Sequence, residues 1–169
     1  MDGKKAMRQQ VENARSGRGG PDLEPVLAAL IDGATQIASY VGMPDEPFVT
    51  PRPGWLLPVL LPDGDLDWAR YDGELSRGRR GVMEPTGERL GVDAVSRCDL
   101  VLVPALAVDH AGHRLGKGGG SYDRALRRAS GLTVALLHDG ELVDEVPHEP
   151  HDVPVRVVAT LTGGLVRLS

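Results

Sequence analysis

Residues Gly112-His113-Arg114-Leu115-Gly116-Lys117-Gly118-Gly119-Gly120-Ser121-Tyr122-Asp123-Arg124 gather five glycines, two arginines, a lysine and an acid in one unbroken stretch. An apolar run ahead of it, Leu100 to Pro104, reads as a strand, and Tyr122 to Arg128 behind it reads as a helix. A glycine loop between a strand and a helix start is an arrangement that binds phosphate. Glycine lets the backbone approach the anion, free N–H groups point at it, and the helix N-terminus adds partial positive charge. Arg114 offers a planar fork and Lys117 a movable point charge. The spacing is neither that of a Walker loop nor that of a dinucleotide fingerprint. No nucleophile-elbow pattern surrounds Ser121.

Two acids bear on the same chemistry. Asp123 falls in the first turn of the expected helix. There it either complements the helix dipole, worth about 0.5 kcal/mol, or ligates Mg²⁺. Asp152, in the constrained stretch His148-Glu149-Pro150-His151-Asp152-Val153-Pro154, either forms a turn or shares that ion. Residue type alone favours the plainer reading of each. His110 with His113, and His148 with His151, lack a recognised zinc spacing, and no cysteine supports them.

The elements that must position these residues can be read from periodicity. Residues 3–16 read as a helix with Met7, Val11 and Ala14 on one stripe and Lys4, Arg8 and Arg15 on one face. Asp22 is placed to cap a second helix, Leu23 to Ile31, closed by Gly33. Strands are expected at 36–41, 55–61, 66–71, 100–104, 133–137, 153–161 and 165–168, with Asp63-Gly64 turning between the second and third. Residues 72–99 read mostly as loop with a short helix near Val92 to Arg97, and Arg77-Gly78-Arg79-Arg80 as a solvated part of it. The continuously apolar runs at 101–103 and 134–137 suit central strands covered on both faces. Strands alternating with helices predict a single three-layer α/β/α domain over 1–169 with a mostly parallel, mixed central sheet.

Composition narrows the partners. The chain has 169 residues, 41% apolar and 25% charged, with a net charge of −5. Residues 4–18 carry Lys4, Lys5, Arg8, Arg15 and Arg18 against Glu12 alone, and residues 113–128 carry Arg114, Lys117, Arg124, Arg127 and Arg128 against Asp123. Everything outside these islands is strongly acidic. Two basic islands in an acidic chain point to a shared anionic ligand, with two solvated helix faces as the alternative. The acidic balance and an aromatic content of 4% disfavour nucleic acid. No segment reads as a membrane span or signal peptide, and the lone Cys98 is expected to be a packed thiol in a reducing, cytoplasmic setting. The expected partners are small molecules, bound by a monomer.

The central stretch, with Val103-Pro104-Ala105-Leu106-Ala107-Val108-Asp109 before it, resembles the signature of the 5-formyltetrahydrofolate cyclo-ligase family. Lys4-Lys5-Ala6-Met7-Arg8, Met43-Pro44-Asp45-Glu46 with Thr50, Gly81-Val82-Met83-Glu84-Pro85 and Glu149-Pro150-His151-Asp152 resemble further elements of that family, in its order. The resemblance implies ATP- and Mg²⁺-dependent conversion of 5-formyltetrahydrofolate to 5,10-methenyltetrahydrofolate, with ADP and phosphate released. It implies ATP contacts from Lys4, Arg8 and the run Arg114, Leu115, Gly116, Lys117, Gly118, Gly119, Gly120, Ser121 and Tyr122. It implies folate contacts from Glu46 and from Lys117 to Ser121, catalytic roles for Lys117, Arg114 and Tyr122, and Mg²⁺ at Asp123 and Asp152. Ser121 stands where the family usually has an aromatic residue, and Pro51-Arg52-Pro53-Gly54 replaces an expected helix. These departures define the alternative expectation, a weakly active or non-catalytic folate- or nucleotide-binding relative.

Overall fold

Successive side chains of a strand point to opposite faces, so a fully apolar strand must be covered twice. The computed structural model, which describes residues 3–169, shows this arrangement. Met1 and Asp2, counted in the expected 1–169 domain, lie outside the described residues. The chain runs α1 (Gly3–Arg15), α2 (Glu24–Gly33), β1 (Ile37–Ala38), β2 (Leu56–Leu60), β3 (Leu66–Arg70), β4 (Leu75–Arg77), β5 (Met83–Pro85), β6 (Leu100–Pro104), β7 (Ala107–Asp109), β8 (Arg114–Leu115), α3 (Ser121–Arg128), β9 (Leu132–Leu136), β10 (Leu142–Val143), β11 (Val157–Thr160) and β12 (Gly164–Arg167). Short 3-10 helices occupy Arg79–Gly81 and Val92–Arg97.

The main sheet has the order β12-β11-β9-β6-β1-β2-β3. Its five inner strands are parallel, and β12 and β3 add antiparallel edges. Leu100, Leu102, Val134, Leu136, Val157 and Ala159 face α2, where they bury Leu23, Leu27 and Ile31. Val101, Val103, Ala135, Leu137 and Val158 face the other way, against Ala125 and Leu126 of α3 and Ala94 and Val95 of the 3-10 turn. The expected three-layer, mostly parallel α/β architecture is therefore present. Cys98 is buried in the α3-side core, and burial beside the Asp99 charge pushes its thiol up to about 11.

The chain departs from β1 toward β2 and β3 on one side, then returns to lay β6, β9 and β11 on the other. The carboxyl ends of β1 and β6 thus flank a topological switch point, the usual location of a ligand crevice in such sheets. A second sheet, β10-β7-β8, stands beyond the end of β6, and α1 packs on it through Met7 and Val11 against Leu106, Ala107, Leu115 and Val146.

Several expectations need correction. The first strand is only Ile37–Ala38; Ser39 N–H still donates to Leu56 O of β2 at 2.9 Å, and Tyr40 and Val41 then turn to the cavity wall. The strand expected over 153–161 is confined to Val157–Thr160. The segment 72–99 also holds a hairpin that the sequence did not show, with β4 and β5 paired antiparallel. Arg77 ends β4, and Arg80 lines a cavity rather than facing bulk solvent alone. Ala14 is exposed and contributes nothing to the apolar stripe of α1.

Candidate active site

The glycine loop leaves β8 and enters α3. Leu106 N–H donates to Leu115 O at 2.8 Å, fixing the start of the loop against β7. Gly118 has φ 106° and Gly120, at the N-cap of α3, has φ 74°; both values strain any other residue. This tight path exposes the loop to a cavity of about 480 Å³. Every residue expected to bind ATP, folate or metal lines that one cavity: Lys4, Arg8, Glu46, the run from Arg114 to Asp123, and Asp152.

Arg114 is the buried cation of the site. Its side chain is 7% exposed, its Nη1 donates to Pro104 O at 2.8 Å, and its Nη2 stands 3.7 Å from Asp123 Oδ1. The guanidinium lies 5.6 Å from the Tyr122 ring centre. Burial lowers its pKa from the ordinary arginine value, with Asp123 opposing, and the group stays charged. Burial likewise raises the Tyr122 hydroxyl well above its usual range, which keeps its proton in place. Arg114 Nε and the Tyr122 hydroxyl are buried without a hydrogen-bond partner among the described residues. Unmatched polar groups of this kind are costly unless a ligand meets them.

Two further cations arrive from α1. Arg8 Nε donates to Gly116 O at 2.8 Å, and its guanidinium lies 3.5 Å from where a side chain on Gly118 would begin. Lys4 Nζ stands 3.8 Å from Asp152 Oδ2. The two basic islands therefore converge through Lys4, Arg8, Arg114 and Lys117. Arg15 does not join them. It is 4% exposed and makes a two-point pair with Glu141 at 2.8 and 2.7 Å, plus a bond to Ala105 O at 2.7 Å. Glu141 also accepts His138 N–H, and His138 Nε2 contacts Asp45 O at 2.7 Å. The C-terminal end of α1 is thus tied to the loop that carries Glu46.

Glu46 is 8% exposed and accepts Met43 N–H at 2.8 Å, while its other oxygen stands 3.4 Å from Lys117 Nζ. Its backbone fits only because residue 20 is glycine, where a Cβ would lie 1.6 Å from Glu46 O. Ser121 donates to Gly64 O at 2.6 Å and Arg124 Nη1 to Asp63 O at 2.8 Å, so the start of α3 grips the β2–β3 turn.

The Asp152 loop is held by a staple that linear spacing hides. Asp109 accepts N–H bonds from Ala111, His113 and Val146 and also contacts His113 Nδ1 at 3.0 Å. The His113 and His148 rings stack with centres 3.4 Å apart and planes 8° from parallel. Asp109, His113 and His148 thus stand within ligand distance of one another. Parallel stacked rings do not aim their lone pairs at one point, and the Asp109 oxygens are already met by N–H groups, so the cluster acts as a clamp. It sets the 144–152 loop beside the glycine loop. Burial pushes Asp152 upward, but the Glu149 N–H and the charges of Lys4 and His151 outweigh it and hold the carboxyl below its usual range.

Apart from Arg80, the rest of the cavity wall is mainly apolar, and most of it escaped the sequence reading. Tyr40 and Val41 after β1, Pro58 and Leu60 of β2, Leu66 of β3, and Val82 and Met83 of the hairpin supply it. They are scattered hydrophobic residues with no local signature. The hairpin's glycine…glutamate-proline element was the one signal that pointed there.

Comparison with known proteins gives a consistent result. The model of the 5-formyltetrahydrofolate cyclo-ligase family matches residues 5–161. A 5-formyltetrahydrofolate cyclo-ligase from Mycolicibacterium smegmatis is 42% identical over 153 residues, covering 86% of this chain and 72% of that protein. One from Escherichia coli is 38% identical over 111 residues, 62% of this chain and 61% of its own. The solution structure of Aquifex aeolicus 5,10-methenyltetrahydrofolate synthetase aligns with a TM-score of 0.78 at 27% identity, covering 99% of this chain and 93% of that one. The Mycoplasma pneumoniae synthetase shares the fold, with a TM-score of 0.68 at 18% identity.

Proposed function

The chain belongs to the 5-formyltetrahydrofolate cyclo-ligase family, and from that premise we infer that it converts 5-formyltetrahydrofolate to 5,10-methenyltetrahydrofolate at the expense of ATP, releasing ADP and phosphate. The observation that carries this reading is convergence. Four separated segments (α1, the Glu46 loop, the glycine loop and the Asp152 loop) meet at one cavity that is cationic on one side and apolar on another. A phosphoryl donor and a flat heterocycle need those two environments side by side. A non-catalytic relative is the less favoured alternative, since the relatives of known name are ligases or synthetases.

The formyl oxygen attacks the γ-phosphorus, ADP departs, nitrogen 10 closes the ring on the activated carbon, and phosphate leaves. No protein nucleophile is required, so alignment and charge neutralisation are the chain's tasks. Lys4, Arg8 and the glycine-loop N–H groups hold the triphosphate. Arg114 and Lys117 offset charge on the transferring phosphoryl group, and the Tyr122 hydroxyl donates into the same space. Glu46 accepts from the pterin ring, and its pairing with Lys117 ties folate placement to the phosphoryl site. Asp123 and Asp152 suit Mg²⁺: both are oxygen donors on the cavity wall, and Asp152 is kept ionised. When bound there, Mg²⁺ supplies charge neutralisation at the phosphate oxygens.

Every group assigned here lines one cavity of one fold, which suits a single domain, and the reading includes a monomer. Among the described residues, no helix is long and apolar enough to cross a membrane. A cytoplasmic setting suits the free, buried Cys98. The test is spectrophotometric. Purified protein with ATP, Mg²⁺ and 5-formyltetrahydrofolate is expected to generate the methenyl absorbance band with one ADP released per product. No band at high enzyme concentration contradicts the assignment, and folate binding without ADP release establishes the alternative.

A further inference from the structure

Arg80 is a fifth cation at the cavity, and no role above uses it. It caps the β4–β5 hairpin at φ 57° and ψ 23°, the one positive φ outside glycine among the described residues. That left-handed conformation costs a side-chain-bearing residue free energy that glycine would not lose, and such strain gathers at binding sites. The turn itself is closed by Gly78 N–H to Val82 O at 2.7 Å.

Its guanidinium leans on the glycine loop. A Cβ built on Gly119 would lie 3.4 Å from Arg80 Nη1. Arg80 is exposed, whereas Val82 and Met83, next along its own hairpin, form part of the apolar wall. Lys4, Arg114 and Lys117 each face a carboxylate. Among the described residues, Arg80 faces none. It is therefore a rim cation placed where the apolar wall meets solvent, with its charge left over for a ligand.

We propose that Arg80 binds the carboxylates at the glutamate end of the folate and so sets specificity for glutamate-bearing substrates. The proposal rests on the ligase reading above. A reduced folate has a flat heterocyclic and aromatic body and a doubly anionic glutamate end. With the body against Val82 and Met83, the glutamate end must emerge at the rim, where its charges stay hydrated. The planar fork of arginine matches a carboxylate in two-point fashion. Of the cations assigned to the triphosphate, Arg114, with a side chain 7% exposed, and Arg8, half-buried against Gly116 O, lie deeper than Arg80, while the exposed Lys117 is paired with Glu46.

The test compares the full chain with Arg80→Gly and Arg80→Lys. Glycine suits the backbone conformation, so Arg80→Gly removes the charge without straining the hairpin. Turnover and equilibrium binding are measured for 5-formyltetrahydrofolate and for 5-formyltetrahydropteroate, the same ring system without glutamate. Arg80→Gly is expected to weaken binding and raise KM for the glutamate-bearing substrate about fivefold, the size of a solvent-exposed ion pair. Values for the pteroate analogue and for ATP should stay unchanged, and Arg80→Lys should recover part of the loss. A rise in the KM for ATP would assign Arg80 to the triphosphate and overturn the proposal. Equal losses for both folates, or no change for either, would overturn it too. Failure of the ligase reading looks different: the wild type then turns over neither folate, while the binding comparison still decides the role of Arg80.

Discussion

The glycine-loop wall and the hairpin wall of the cavity are built on different principles. The first is nearly contiguous in sequence: Arg114 to Asp123 bring backbone N–H groups, two cations and an acid within ten residues. The second is assembled from the ends of β1, β2, β3 and β5, and its residues meet only after the sheet forms. Charge and backbone geometry, written locally, characterise the wall proposed to hold phosphate. Shape and apolar surface, written globally, define what fits beside it. Substitutions on the two walls should therefore fail in different kinetic parameters.

The largest effect is expected from Lys117→Ala, on the glycine-loop wall. Its side chain is 52% exposed, so the fold and melting temperature should persist while kcat falls by about two orders of magnitude. A variant with near wild-type kcat removes Lys117 from the phosphoryl-transfer step. Asp123→Asn on the same wall should lower turnover about tenfold at limiting Mg²⁺ and less at saturating Mg²⁺. An equal loss at all Mg²⁺ concentrations would instead mark Asp123 as a helix-dipole partner.

On the hairpin wall, Met83→Ser should raise the KM for folate about tenfold while the KM for ATP stays put. A parallel rise in both would show that the walls do not divide the substrates. The smallest effect concerns the frame beneath both walls. Asp65, which ends the turn into β3, makes a two-point pair with Arg128 of α3 at 2.7 Å per contact. The Arg128 hydrogen bonds hold the Asp65 carboxyl below its usual range despite burial. A depressed folded value means the pair stabilises above the unfolded carboxylate range, near pH 4, and is lost as pH falls through the folded value. Asp65→Asn should thus cost about 1 kcal/mol at pH 7, and the difference should vanish toward pH 2 in thermal melts.

The same contrast explains what could be read in advance. The mostly parallel sheet was expected from apolar strands alternating with helices, and β6, Leu100–Pro104, emerged with both ends as expected. The two-residue strands β8 and β10 carry no periodicity at that length and could not be seen, and β1, expected over 36–41, holds only Ile37–Ala38 of that span. The residues of the glycine-loop wall were legible as a cluster because glycine spacing and grouped charge are local signals. Arg15 shows the limit of charge alone. It sits seven residues from Arg8 on the same helix, yet Glu141, distant in sequence, captures it in the interior. Glu141 and Ala105 O take up the donors of Arg15, whereas Arg114, similarly buried, keeps Nε unmatched beside the cavity. The Asp109–His113–His148 clamp was hidden for the same reason, since His148 meets His113 only when the Asp152 loop folds back.

The central claim is that α1 and the glycine loop close on one triphosphate. It is tested most directly by calorimetric binding of ATP and of adenosine to the wild type and Arg8→Ala. Loss of a charge-assisted contact to phosphate should weaken ATP binding about tenfold and leave adenosine binding unchanged. Undiminished ATP affinity, or an equal loss for adenosine, would contradict it.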